Sequence, residues 1–245
     1  MVLVRCAYRT NLSREPRLAA GRLIATEKSI AFVFNQCARI DLMANVVLMG
    51  KGEVCMHAAQ YFLEREHLAC VVPVIPEPQW CPSLIQWAAR NNIPVVQSGH
   101  HNDVSDSIRI DLAMSIFYER IIGTEFLGRC KQIVNLHNSP LPRYRGVRPI
   151  NWALKNNERS HGVTIHQITP GVDEGAIYGQ VTYPIYPDVE EVRDVYAKSI
   201  QYGKMLFTDV IPKIDTITPY PQEGSCSYYS KSDIGALGNR DGWTR

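Results

Sequence analysis

Asn45-Val46-Val47-Leu48-Met49-Gly50-Lys51-Gly52-Glu53-Val54 passes from an apolar, β-branched run through two glycines into a helical pattern. The run predicts a buried strand over 46–49. Val54, Ala58, Tyr61 and Phe62 recur at the spacing of one buried helix face, which predicts a helix from 53 to about 65. The same alternation continues downstream. Residues 69–75 predict a second strand closed by Pro76-Glu77-Pro78, 83–91 a helix, and 94–97 a short strand. Residues 110–116 and 132–136 predict two further apolar strands. The longest helix is predicted over 189–211, with the stripe Val189, Val192, Tyr196, Ile200, Gly203, Phe207 and Val210, and Pro212 to stop it. Strands alternating with helices imply an α/β fold: a mostly parallel sheet with helices on both faces.

Gly50-Lys51-Gly52 invites a dinucleotide-binding reading, but Cys55 stands where that fingerprint wants a third glycine. Prolines stand where it wants an acid at the tip of the second strand. What survives is an anion-binding turn, with backbone N–H groups at a helix start and Lys51 adding charge. A plain tight turn explains the same glycines.

The bulk numbers exclude several classes. A net charge of +2 gives no electrostatic case for nucleic acid or an anionic membrane. No apolar run approaches the ~20 residues that span a bilayer. Seven cysteines, odd in number and without a CxxC pair, argue against a disulfide framework or zinc site and for a reducing cytoplasm. His100-His101 lacks metal-ligand spacing to any other His or Cys, so no metal is expected. Residues 1–42 carry seven Lys or Arg against three acids and no periodic pattern. A targeting leader fits the acids and the apolar run 30–34 poorly. The expectation is that Met43 is the natural start and 1–42 an extension of uncertain status.

The chemistry concentrates between 135 and 180. Asn135 and His137 alternate on a strand and so share a face at its C-terminal end, where ligands of open α/β sheets gather. His161-Gly162-Val163-Thr164-Ile165-His166 is an alternating strand leading into Thr169-Pro170-Gly171-Val172-Asp173-Glu174-Gly175. His166, opposite Ile165, reads as structural. Histidine moves protons near neutrality, asparagine offers N–H to a developing oxyanion, and aspartate supports the imidazole. That set suits acyl transfer to nitrogen. No Ser or Cys nucleophile with an activating partner is signalled, which favours direct transfer over a covalent intermediate.

Asn135-Leu136-His137, Pro140-Leu141-Pro142-Arg143-Tyr144-Arg145-Gly146, Gly162-Val163-Thr164-Ile165-His166 and Val172-Asp173-Glu174-Gly175-Ala176-Ile177 together resemble the folate-dependent formyltransferases. The resemblance runs from about Val46 to Tyr229. It implies a Rossmann-like catalytic domain, 10-formyltetrahydrofolate as co-substrate, and Asn135, His137 and Asp173 as catalytic residues. It implies a pterin pocket built by Tyr118, Arg120, Ile121 and Ile122 after the preceding strand, and by Gly171 and Val172. Plain core packing is the alternative for Ile121 and Ile122. The acceptor side is expected at Gly50, Lys51, Gly52, Ser139, Pro140, Arg145 and Gly146.

Within that family the stretches 140–154 and 228–233 look most like small sugar N-formyltransferases. These act on amino-dideoxy sugars carried on a nucleoside diphosphate, precursors of surface polysaccharide. Methionyl-tRNA and glycinamide ribonucleotide are the other acceptors, and a non-catalytic folate- or nucleotide-binding module is the rival class. Asn138 and Ala176 stand where many relatives carry proline. The expected division is a catalytic domain over 43–215 and a short tail over 216–245. A homodimer is one expectation, though the tail is short for relatives that pair through a terminal hairpin.

Overall fold

The computed structural model describes residues 45–243, so the reading of residues 1–42 lies outside it. Strand β1 is Val46–Gly50, followed by helix α1, Gly52–Leu63, strand β2, Leu68–Pro73, and helix α2, Leu84–Arg90. Strand β3 is Ile110–Ile116, helix α3 Thr124–Arg129 and strand β4 Cys130–His137. Helix α4 is Pro149–Lys155, β5 is Ser160–Gln167, β6 is Ile177–Pro184 and α5 is Val192–Val210. The six strands form one sheet in the order β2-β1-β3-β4-β5-β6. The first four are parallel, and β5 and β6 add on antiparallel. No described helix is long and apolar enough to cross a membrane.

Alternation along the strands divides the interior into two cores. Val46 and Leu48 of β1 face one side with α1, α2, α4 and α5, whereas Val47 and Met49 face the other with Phe126 of α3 and Val104. Helices therefore cover both faces, very unequally. On α5 the buried stripe is Val192, Val195, Ser199, Gly203, Leu206, Phe207 and Val210, and a capping box between Glu191 and Asp194 opens the helix. Val189 falls before this cap and is 76% exposed, so it does not belong to the stripe. The expected strand at 94–97 is a single parallel bridge, Val95 to Val71. Strand β6 was not expected; four of its eight residues in a row are only half-buried, so it shows no clean alternation.

Register brings the working ends of the strands to one edge. Gly50 lies opposite Ile116, and Ile116 opposite Leu136, so the glycine turn, Phe117 and His137-Asn138 emerge side by side. The tail is no separate unit. Tyr228–Tyr229 pairs with Arg145–Gly146, and the Tyr229 ring stacks on Trp152 of α4 at 4.1 Å. The described residues fall in one compact unit.

Candidate active site

Asn135 and His137 project from β4 at the sheet edge, and the loop after β5 folds back so that Asp173 meets them. His137 Nε2 lies 2.9 Å from the Tyr144 carbonyl and donates to it. In the neutral ring that leaves Nδ1 bare, 3.6 Å from Asp173 Oδ2. The Tyr144 carbonyl is itself held. The residue's N–H donates to Ser227 Oγ at 2.8 Å, and its hydroxyl donates to Glu158 at 2.6 Å.

His166 corrects the structural reading. It is the direct cross-strand partner of Asn135, and such partners point to the same face. Its Nδ1 donates to the Gln167 carbonyl at 2.8 Å, which leaves Nε2 to accept from Asn135 Nδ2 at 3.2 Å. Asn135 Nδ2 also lies 3.4 Å from Asp173 Oδ1, and His166 Nε2 lies 3.5 Å from the same oxygen. Four side chains thus meet here.

Asp173 is buried among these groups. Burial pushes its carboxyl up, but the charge that the His137 and His166 imidazoles carry when protonated, and the Gly146 N–H, which donates to Oδ2 at 2.8 Å, outweigh it and hold the group well below the usual carboxylate range. It remains an anion wherever the protein is folded near neutrality. Backbone geometry fixes it further. Asp173 is left-handed at φ 51°, and two residues on, a Cβ at Gly175 would lie 1.9 Å from the Gln167 carbonyl oxygen, so only glycine lets the loop approach β5. Gln222 of the tail closes the frame. Its Nε2 donates to the Asp173 and Gly175 carbonyls, both at 2.8 Å, while its Oε1 accepts from Arg145. A bare imidazole nitrogen, an anion behind it and a carboxamide beside both are the parts of an acyl transfer to an amine.

The formyl transferase family model matches residues 44–211. The chain belongs to the formyl transferase family. The chain is 31% identical over 200 residues to the methionyl-tRNA formyltransferase of Trichlorobacter lovleyi, an alignment covering 76% of this chain and 63% of that protein. The chain spans between 46% and 63% of the length of three such curated relatives. Among solved structures it resembles the sugar 3N-formyl transferase WlaRD, solved in the presence of dTDP and 5-N-formyl-THF. The identity is 28% and the TM-score 0.68, over 78% of this chain and 71% of that one. It also resembles the N-formyltransferase of Helicobacter canadensis, solved with folinic acid and dTDP-3-aminofucose. There the identity is 28% and the TM-score 0.67, over 78% and 72%.

The remaining expected site residues of this formyl transferase divide. Ile121 and Val172 are exposed, at 80% and 40%, whereas Ile122 is buried in the second core. Arg120 is exposed and Gly171 half-buried. Tyr118 is committed within the protein: its hydroxyl donates to the Gly99 carbonyl at 2.8 Å and accepts from the His101 N–H at 3.1 Å. Ser139 is corrected, because it is fully buried and its Oγ donates to the Arg143 carbonyl. Pro140 is half-buried against Gly162. Arg145 and Gly146 hold Gln222 and Asp173 and so act one step behind the surface. The glycine turn is corrected too. The Lys51 N–H donates to the Ile116 carbonyl at 3.1 Å and the Gly52 N–H turns to Cys81, so neither amide is open to an anion. The Lys51 side chain stands in an ion pair with Glu119.

Two buried histidines are expected to make the fold acid-sensitive. Burial lowers His161 to about 4, against the raising effect of its bond to the Asn138 carbonyl, with His137 and Arg143 adding repulsion. Burial likewise lowers His101 to about 4, with repulsion from His100 and Arg120 partly opposed by Asp103. Both fall below the ordinary 6.5, so between pH 6.5 and 4 the unfolded chain binds more protons and stability drops as pH falls. Denaturant midpoints are expected to fall steeply from pH 7 to 4.5. His161→Gln, which keeps a donor for the Asn138 carbonyl, is expected to flatten that slope; an unchanged slope counts against the assignment.

Proposed function

We propose that this chain transfers the formyl group of 10-formyltetrahydrofolate to the amino group of an amino-dideoxy sugar carried on a nucleoside diphosphate. The observation that carries the reading is the bare Nδ1 of His137, backed by the Asp173 anion and flanked by Asn135. Bound folate supplies an acyl carbon already activated towards a nitrogen nucleophile. The chain's residues do the rest. Asn135 turns one amide N–H to the acyl oxygen as negative charge gathers there. His137 Nδ1 takes the proton that the amine gives up as its bond to carbon forms, and returns it to the donor nitrogen as the C–N bond breaks and tetrahydrofolate leaves. Asp173 stabilises the imidazolium so produced.

Exposed Ile121, and exposed Val172 on the Asp173 loop, fit a flat heterocycle. The sugar acceptor is supported by the two solved relatives, one holding dTDP and the other dTDP-3-aminofucose. The identity to the T. lovleyi enzyme supports a second acceptor, the amine of methionyl-tRNA.

The test is an acceptor screen. Protein and 10-formyltetrahydrofolate are incubated with nucleotide-linked 3-amino and 4-amino sugars, glycinamide ribonucleotide and methionyl-tRNA, and products are weighed by mass spectrometry. A formyl gain on a nucleotide sugar is expected, reduced roughly 10²–10⁴-fold by His137→Ala. A gain on methionyl-tRNA alone overturns the acceptor while keeping the chemistry. A folded His137→Ala protein with near-native turnover overturns the chemistry.

A further inference from the structure

Where β1, β3 and β4 end, a cavity of about 430 Å³ opens against Asn138, the residue after His137. Trp80, Phe117, Tyr196 and Trp243 give it aromatic walls. Of the four tryptophans, Trp87 and Trp152 are buried, whereas Trp80 and Trp243 stand open at 51% and 42% exposure. These two belong to distant segments, and each segment is pinned through groups other than the indole. Glu77 accepts from the Leu84 and Ile85 N–H groups at 2.8 and 3.1 Å, which ties the Trp80 loop to the start of α2. The Trp243 carbonyl accepts from the Arg193 N–H at 3.2 Å, and the Asn151 amide donates to the Arg240 carbonyl at 2.6 Å. The tail that carries Trp243 is thereby fixed to α5 and α4.

The two indoles meet at 65° with ring centres 5.4 Å apart, and the Tyr196 ring meets them edge-on at 5.8 and 5.0 Å. Planes at that angle form an open corner. A flat ring laid on one indole turns its edge towards the other, and aromatic rings favour both contacts. Two half-exposed indoles forfeit apolar burial, which a planar ligand in the corner recovers. Trp80 belongs to the loop after β2, the edge strand, and its ring centre lies 5.8 Å from the Lys51 ammonium at the end of β1. The corner is thus reached from the β1 side of the cavity and His137 from the β4 side, two strands or about 10 Å away. A ligand that spans both is longer than a single sugar ring.

We infer that Trp80 and Trp243 hold the nucleobase of the acceptor, stacked on one indole and edge-on to the other. The inference rests on the proposed function and refines it. The amine lies at His137, the base in the aromatic corner, and the phosphates between them, where Lys51 and Arg148 line the cavity. The acids paired with these cations, Glu119 and Asp241, are both exposed, and a surface ion pair is weak enough for a phosphate to displace the acid. Every base has a π-face, so the corner gives affinity for a nucleotide without choosing among bases.

The experiment measures equilibrium binding of dTDP, UDP, adenosine monophosphate, pyrophosphate and folinic acid to the full chain and to Trp80→Ala, Trp243→Ala and Trp80→Phe. The parent is expected to bind dTDP at least about tenfold more tightly than pyrophosphate. Each alanine variant is expected to weaken dTDP and UDP alike, roughly 5- to 100-fold, with pyrophosphate and folinic acid unchanged. Trp80→Phe keeps a flat ring and is expected to recover most of that loss. With a nucleotide-linked amino sugar the alanine variants are expected to raise KM and leave kcat close to the parent's, because the base is held equally in ground and transition states. Alanine variants that bind dTDP like the parent overturn the inference. A loss shared by folinic acid and pyrophosphate assigns the rings to the fold and also overturns it. Adenosine monophosphate, the 3′ end of a tRNA, bound more tightly than dTDP and UDP gives the corner to tRNA and overturns it as well. A parent that formylates a nucleotide sugar yet binds dTDP no better than pyrophosphate overturns the inference alone. A parent that formylates no nucleotide sugar overturns the proposed acceptor and this inference together.

Discussion

Asp173→Asn is expected to lower turnover roughly 10³–10⁴-fold while the protein stays folded. The substitution keeps the shape of the side chain, and an amide oxygen can still accept from the Gly146 N–H that now lies 2.8 Å from Oδ2. What it removes is the negative charge behind His137 and His166. If its NH₂ turns to His137, it donates to Nδ1, the nitrogen that has to stay bare to receive a proton. If its oxygen turns there, the imidazolium has lost its counter-charge. Either orientation blocks the proton transfer. The check is kcat and kcat/KM on the acceptor found by the screen, with circular dichroism to establish folding. A variant within tenfold of the parent would falsify the role given to this carboxylate.

Gly50→Ala is expected to prevent folding. Gly50 has φ 143°, and a Cβ placed there would lie 1.9 Å from the Ile116 carbonyl oxygen. The obstruction is backbone on the neighbouring strand, and no rotamer relieves it. Relief means parting β1 from β3 in the middle of the sheet, where Lys51 also bonds to that same carbonyl. Such a loss exceeds about 4–5 kcal/mol, against a typical total of about 5–15 kcal/mol for a domain. Soluble yield and thermal unfolding provide the measurement. Gly235→Ala is the control, since nothing lies within 4 Å of a Cβ there, and it is expected to behave like the parent. A Gly50→Ala protein with the parent's melting temperature would mean that the close approach does not constrain the sheet.

The sheet was readable where burial on both faces writes a continuous apolar run. Ile110–Ile116 was expected to the residue, and β1 to within one, because every residue in them is buried. Strand β6 was not readable: it closes the sheet at its edge, and half-exposed positions leave no clean pattern. Val189 misled because it sits at helical spacing to Val192 while lying outside the cap that starts α5. In the site, chain-local signals placed Asn135, His137 and Asp173 in neighbouring loops and strands. His166 was lost because its role depends on the register of β5 against β4, which spacing within one strand does not encode. Gln222 was out of reach for a similar reason, since 49 residues separate it from the carbonyl it holds. The partner of the Lys51 N–H was equally invisible in one dimension, since the carbonyl that takes it belongs to β3.

Gln222, Ser227 and the Tyr228–Tyr229 pairing have a consequence for anyone who would recombine this enzyme with its relatives. The natural cut by sequence is after the long helix, since the family model stops at residue 211. A chimera built on that cut inherits all four side chains that meet at Asn135, but not the brace behind them. Ser227 steadies the residue whose carbonyl sets the His137 tautomer, and Gln222 steadies the loop that carries Asp173. Tails are therefore not interchangeable handles. A graft lacking a glutamine at 222 and a hydroxyl at 227 delivers the right residues out of alignment, and its turnover reports on the brace rather than on the chemistry.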